Sequence, residues 1–193
     1  MAKSDPASSK KERNKTIRWV ITIFITTMLI SGTISVASDA LMSGSGLGVA
    51  FLVLLTIVLV GIIFDVIGVA VTSADEKPFH SMAARKVSGA QESIRLLRNA
   101  ERVSSICNDV IGDICGVVSG TASATISAQL VALQGFDAPS SVISLVMSAL
   151  VAGFTVGGKA IGKTFAINSC TKIVSFTGKV ISWIKHPFAK KKK

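Results

Sequence analysis

Residues 49–64 read VAFLVLLTIVLVGIIF and contain no charged side chain. The apolar character continues on both sides of this run, and Asp65 is the only charged residue between positions 47 and 73. A helix needs about 20 predominantly apolar residues to cross roughly 30 Å of hydrocarbon. The stretch 47–73 therefore predicts a membrane-spanning helix.

Three further stretches meet the same criterion, at residues 19–37, 103–133 and 141–167. Short connections rich in glycine, serine or proline, SGSGLG and GFDAPSS, separate the first span from the second and the third from the fourth. The sequence thus predicts an all-α, polytopic membrane protein with about four transmembrane helices, in a domain that covers residues 19–168. For the first segment a cleaved signal peptide is the alternative, because SVA at 35–37 fits a cleavage site.

The positive charge is concentrated on one side of the predicted spans. Only 17% of the residues are charged, against about 25% in soluble domains, yet the formal net charge is +10. The basic residues gather in the tail 1–18, the loop 74–102 and the tail that begins at residue 169. This pattern favours a membrane surface and argues against nucleic acid, which would require a basic face on a soluble domain. Because basic residues mark the cytoplasmic side, both termini are predicted to be cytoplasmic in a multi-pass protein of the cell membrane.

Two amphipathic segments adjoin the spans on the predicted cytoplasmic side. Residues 77–100 carry apolar side chains at near-helical spacing and are predicted to form a juxtamembrane helix on the inner membrane surface. The basic tail 169–193 has a similar pattern, with Trp183 placed to lie at the interface. Its apolar stripe contains Ile173, Phe176, Val180 and Ile184. The terminal KKKK adds attraction to anionic lipid headgroups, about 1 kcal/mol per charge, or serves only as a topology anchor. The predicted partners are therefore the lipid bilayer and its anionic headgroups.

Four ionisable side chains lie inside the predicted spans: Asp65, Asp109, Asp113 and Lys159. Each costs about 2.5–3.5 kcal/mol at a helix centre on insertion scales and so needs a partner. Asp109 and Asp113 are four residues apart and share a helix face, so a cation, a lysine or a shared proton would relieve their repulsion. Asn108 adds a neutral oxygen, and hard cations such as Mg²⁺ prefer oxygen ligands. The candidate metal ligands are Asp65, Asn108, Asp109 and Asp113, and an internal charge network with Lys159 is the structural alternative.

A glycine stripe in the third predicted span consists of Gly112, Gly116 and Gly120. Small residues at this spacing let a second helix approach closely, so we expect the stripe to pack against the fourth span or a second protomer. The chain contains no Walker, GxSxG or HExxH motif. No catalytic residue is predicted, and the protein is not expected to be an enzyme.

Degenerate versions of several motifs lie between Phe64 and Lys163. They are FDVIGVAVTSADE at the end of the second span, MAARKVSGAQESIRLLRNAERVSSI in the loop, NDVIGD in the third span and GKAIGK in the fourth. On these segments the chain resembles the transmembrane domain of cyclin M/CorC-type magnesium transporters, the domain-of-unknown-function-21 family. That domain carries FSGSE-x-A, gN-x-x-x-N and gE-x-x-PK patterns. The resemblance implies divalent-cation binding or transport, Mg²⁺ as the ion, and a homodimer.

The resemblance also assigns roles to individual residues. Asp65 stands at the first serine of the first motif, and Asp109 and Asp113 stand at the two asparagines, positions that line the family's ion site. Gly68 replaces the glutamate of the first motif. Lys159 replaces the glutamate of the last motif, so its ammonium could fill the magnesium site itself. No segment is expected to form the CBS domains that accompany this family. A non-transporting membrane scaffold or accessory subunit with an Asp–Lys charge network is therefore the alternative to magnesium transport.

Overall fold

The computed structural model describes residues 6–133 and 139–185, and all of the regular structure in these ranges is helical. The α-helices are α1 (Pro6–Ser43), α2 (Leu47–Ser73), α3 (Lys77–Ala84), α4 (Ala90–Arg98), α5 (Ala100–Ser105), α6 (Gly112–Ala132), α7 (Ser140–Asn168) and α8 (Cys170–Lys185). A π-helix, Ile106–Ile111, joins α5 to α6 without a break.

Four helical segments are long and apolar enough to cross a membrane: Thr16–Met42, Leu47–Ser73, Ala100–Ala132 and Ser140–Asn168. The third consists of α5, the π-helix and α6, and is called the third span below. The prediction of an all-α polytopic membrane protein with four spans is confirmed. The first helix is longer than its predicted span, since α1 begins at Pro6 within the basic tail.

The second helix, α2, lies at the centre of the bundle and packs against both the third span and α7. At one end of the bundle, Leu54 and Val58 of α2 pack with Ala122 and Ile126 of α6. At the other end, Ala70 and Val71 belong to a second cluster that also includes residues of α3, α7 and α8. Large apolar side chains on the outer faces are exposed, as expected for surfaces that contact lipid.

Glycines allow the close approach of α2 to its two neighbours. A Cβ atom built on Gly61 would lie 2.9 Å from the Cβ of Cys115, and one built on Gly162 would lie 2.7 Å from a methyl of Val66. Of the predicted glycine stripe, Gly112 faces α7. Gly116 and Gly120 have no other described residue within 4 Å of a built Cβ. Close packing within the chain therefore depends mainly on glycines of α2 and α7 that the stripe did not include.

The loop predicted as one juxtamembrane helix at 77–100 is divided in the structure into α3 and α4. The division coincides with two residues at positive φ, Lys86 at 54° and Gly89 at 83°. L side chains rarely adopt this backbone conformation, and helices commonly end where it occurs. The absence of a side chain at Gly89 also permits contact with the backbone of Lys179 in α8, because a built Cβ would lie 2.5 Å from its nitrogen.

The last helix, α8, packs on α4 through one face and leaves the other exposed. Val174 and Gly178 are buried, and Ser93 of α4 donates a 3.1 Å hydrogen bond to the carbonyl oxygen of Val174. The opposite face exposes Trp183 and most of the predicted apolar stripe, namely Phe176, Val180 and Ile184. Ile173 instead packs against the cluster at this end of the bundle. The terminal KKKK lies outside the described residues.

Candidate functional site

A carboxylate and an ammonium meet between α2 and α7. The Nζ atom of Lys159 lies 3.9 Å from Oδ1 of Asp65, and the two side chains are 27% and 16% exposed. Lys159 also lies against the third span, because a Cβ built on Gly112 would be 3.4 Å from its Nζ. Gly158 and Gly162 lie within one turn of Lys159 on α7, and their lack of side chains brings α7 close to α2. The predicted counter-charge is therefore in place for one of the three predicted acids.

Asn108 extends this polar centre toward the loop end of α2. Its Nδ2 donates to Oγ of Ser104 at 3.2 Å. Its Oδ1 is buried and has no hydrogen-bond partner among the described residues. This oxygen fits against Gly68, where a Cβ atom would overlap it. Any larger residue at position 68 would therefore displace the Asn108 amide.

The contacts of α2 with the third span show how deep the predicted acids lie. Gly68 contacts Asn108, and Gly61 contacts Cys115 two turns further along α2, so the two helices run antiparallel. Asp65 then lies at the level of Gly112, between Asp109 and Asp113 of the third span. The three acids are at similar depth, as the sequence predicted, but depth alone does not bring them together.

Asp109 and Asp113 are both exposed, whereas Asp65 is partly buried beside Lys159. Asp109 accepts a 2.9 Å hydrogen bond from the hydroxyl of Ser105. Among the described residues, no group of three or more His, Cys, Asp or Glu side chains is placed to hold a metal ion. The predicted ligands therefore do not form one cluster. The physical reason is that consecutive residues of a helix point in different directions, so Asn108 faces α2 while Asp109 lines the groove beside α1.

A groove between α1 and the third span contains Asp109. Its volume is about 590 Å³, and Trp19, Phe24 and Met28 form part of its wall. The sequence does not reveal this groove, because the pattern of the first span does not show which helix it contacts. A partial signal existed, since Trp19 lies near the basic end of its span, at a depth similar to that of Asp109.

A cluster of charged side chains outside the spans was also not predicted from the sequence. Glu92 of α4 has an 11% exposed side chain, and its two oxygens contact Arg95 at 2.9 Å and Lys185 at 3.1 Å. Lys185 is the last residue of α8. These ion pairs and the Ser93 hydrogen bond tie the loop to the C-terminal helix.

Comparisons with known proteins leave the resemblance as a hypothesis. No family model, no curated protein and no solved structure matches the chain. Only the geometry of the chain itself therefore bears on its function.

Proposed function

We propose that this protein is a non-transporting membrane scaffold or accessory subunit, in which an internal charge pair fixes the packing of the spans. The observation that carries the proposal is the 3.9 Å contact between Nζ of Lys159 and Oδ1 of Asp65. A carboxylate that is largely buried between spans is costly unless a positive group lies beside it. Here the chain supplies that partner, so no external cation is needed to neutralise Asp65. No catalytic step is part of this proposal.

Divalent-cation binding or transport is the second candidate, and one observation favours it. The buried Oδ1 of Asn108 accepts no hydrogen bond from the described residues, and such an oxygen is a suitable ligand for Mg²⁺. The π-helix that carries Asn108 adds weight, because such segments occur frequently at functional sites. In this candidate Lys159 would move away to admit the ion, as a degenerate CorC-type site would require.

The proposal includes an orientation and partners. The basic loop and α8 lie at the same end of the bundle, and basic residues mark the cytoplasmic side, so both termini are cytoplasmic. On α8, Lys172 and Lys179 are exposed near the outward apolar face and would contact anionic headgroups. The homodimer would use open glycine faces, such as that of Gly116 and Gly120.

The variant Lys159→Glu separates the two candidates. It places a second carboxylate beside Asp65, so a scaffold would lose its fold, whereas a degenerate transporter would gain an ion ligand. The measurements are thermal unfolding in detergent, with and without millimolar Mg²⁺, and Mg²⁺ uptake into proteoliposomes. A scaffold predicts lower thermal stability that Mg²⁺ does not restore, and no uptake.

The double variant Asp65→Asn/Lys159→Met is the control for charge removal. It deletes both members of the pair, so it should be more stable than Lys159→Met alone, which leaves Asp65 unpaired. Mg²⁺ uptake by the unmodified protein, lost in Asp65→Asn, would contradict the scaffold and favour the second candidate.

A further inference from the structure

The groove between α1 and the third span combines an apolar wall with one carboxylate. It is lined on the α1 side by Trp19, Phe24 and Met28, and on the other side by Val110 and Asp109. Its volume of about 590 Å³ lies in the range of about 300–1,000 Å³ that is typical of small-molecule sites. The groove therefore has the size of a site for an organic molecule and is much larger than a bare ion.

The carboxylate in this groove forms no ion pair with the residues whose side chains are described, which are residues 16–42, 44–133 and 139–185. Oδ2 of Asp109 accepts the hydrogen bond from Ser105, and the salt bridges among the described residues do not include Asp109. Asp65 at similar depth has Lys159. The charge of Asp109 is thus open to a cation that enters from outside the chain.

The opposite wall of the groove contributes an aromatic ring. Thr27 also lines the groove on this side, although its hydroxyl oxygen is buried. Trp19 adds an indole, the aromatic ring that attracts cations most strongly. The groove therefore combines a negative charge and an aromatic surface inside apolar walls.

We infer that the groove between α1 and the third span binds a lipophilic organic cation, with Asp109 as its counter-charge and Trp19 as its aromatic wall. The ligand class is a monovalent ammonium or phosphonium that carries apolar substituents. Divalent metal ions fit poorly, because they require several oxygen ligands and the groove supplies one carboxylate among apolar side chains. This inference is independent of the scaffold proposal, because the Asp65–Lys159 pair is not part of the groove.

A second cavity adjoins the groove at the basic end of the bundle. A neighbouring cavity of about 540 Å³ shares Trp19 and is lined by Glu101 and Arg102. The charges of Glu101 and Arg102 offset one another, so the attraction for a cation comes from Asp109 in the groove itself.

Binding of tetraphenylphosphonium to the purified protein in detergent tests the inference. The chain has two tryptophans, so Trp183→Phe leaves Trp19 as the sole fluorescent reporter. We expect saturable quenching of Trp19 in this background. Asp109→Asn should weaken binding at least tenfold, and Asp113→Asn, which removes an exposed carboxylate one turn away, should change it less than twofold.

Two further variants keep the result interpretable. Asp109→Glu retains the charge and should retain binding to within about threefold, whereas Thr27→Phe fills the groove from α1 and should abolish binding while Asp109 remains. The inference is overturned by equal affinity in Asp109→Asn or by an equal loss in Asp113→Asn. It is also overturned if neutral triphenylphosphine oxide binds equally well, or if millimolar Mg²⁺ displaces the probe.

Discussion

The two sides of the third span differ although both carry polar groups at the same depth. Toward α2 and α7 the span is closed, since Gly112 faces Lys159 and Cys115 faces Gly61 at close distance. Toward α1 it is open, and the groove leaves Asp109 exposed. The difference shows that a charge inside a membrane span can be stabilised from within the chain or left available to a ligand. Which of these applies depends on the neighbouring helix.

The largest loss of stability should come from a large side chain placed between α2 and the third span, on the closed side of that span. Gly61→Leu places a side chain where even a Cβ atom would lie 2.9 Å from the Cβ of Cys115, which is attached to the backbone and cannot rotate away. We expect a loss of about 3 kcal/mol or a failure to fold, because overpacking of a tight interface forces the helices apart. Thermal unfolding in detergent, read by circular dichroism, measures it.

The matched control for this variant is Gly116→Leu, one residue after Cys115 in the chain. A Cβ at Gly116 meets no other described residue within 4 Å, so we expect the stability of the monomer to change by no more than about 0.5 kcal/mol, whereas the proposed homodimer would be weakened. An equally large loss there would show that the face of Gly116 is occupied in the assembled protein. A second copy of the chain would then be the first occupant to test, by size-exclusion chromatography with light scattering.

The next largest loss of stability should come from neutralising Asp65, and it distinguishes this carboxylate from that of Asp109. Asp65→Asn leaves the ammonium of Lys159 partly buried without its carboxylate, and we expect a loss of about 2 kcal/mol. Chemical or thermal unfolding in detergent measures this loss. A neutral outcome would mean that the 3.9 Å contact contributes nothing to stability, and the charge-pair scaffold would lose its basis.

The same substitution at Asp109 should act in the opposite direction. Asp109→Asn removes a charge that has no positive partner among the described residues, and an asparagine oxygen can still accept the hydrogen bond from Ser105. We expect a gain in stability of up to about 1 kcal/mol in the absence of ligand. If Asp109→Asn instead destabilises the protein as much as Asp65→Asn, the two sides of the third span are not different in this respect.

The smallest expected loss of stability comes from weakening the contact between α8 and α4. Ser93→Ala removes the buried hydrogen bond to the carbonyl of Val174, and we expect a loss of about 1 kcal/mol. Amide hydrogen exchange should become faster in α8 and remain unchanged in α2. Ser88→Ala, at an exposed position before α4, is the control and should leave exchange in α8 as it was.

Several features of the fold could be predicted from the sequence because they depend on length and composition. The predicted span at residues 47–73 has the bounds of α2, and the predicted spans at 103–133 and 141–167 differ from the structure by a few residues. Lys159 was also predicted as the counter-charge of the three acids, because it is one of the few basic residues within a span, but the sequence did not indicate which acid it meets. The division of the loop at Gly89 was not predicted, since glycine in an amphipathic segment is compatible with a continuous helix.

The faces of the helices could not be predicted in the same way. In a soluble helix, apolar periodicity shows which side is buried. A helix such as α2 is apolar on all sides, because lipid and the protein interior are equally compatible with leucine and valine. The π-helix at Ile106–Ile111 adds a local change of rotation that no residue pattern indicates.

The sequence by itself determined that this is a helical membrane protein with four spans, a basic side and acids at one depth. Only the tertiary structure decided that Asp65 meets Lys159, that Asn108 rests on Gly68 and that Asp109 faces a groove beside α1. The physical reason is that length and charge fix where a residue lies along the membrane normal. The rotation of each helix about its own axis is instead fixed by close contacts between particular side chains and glycines.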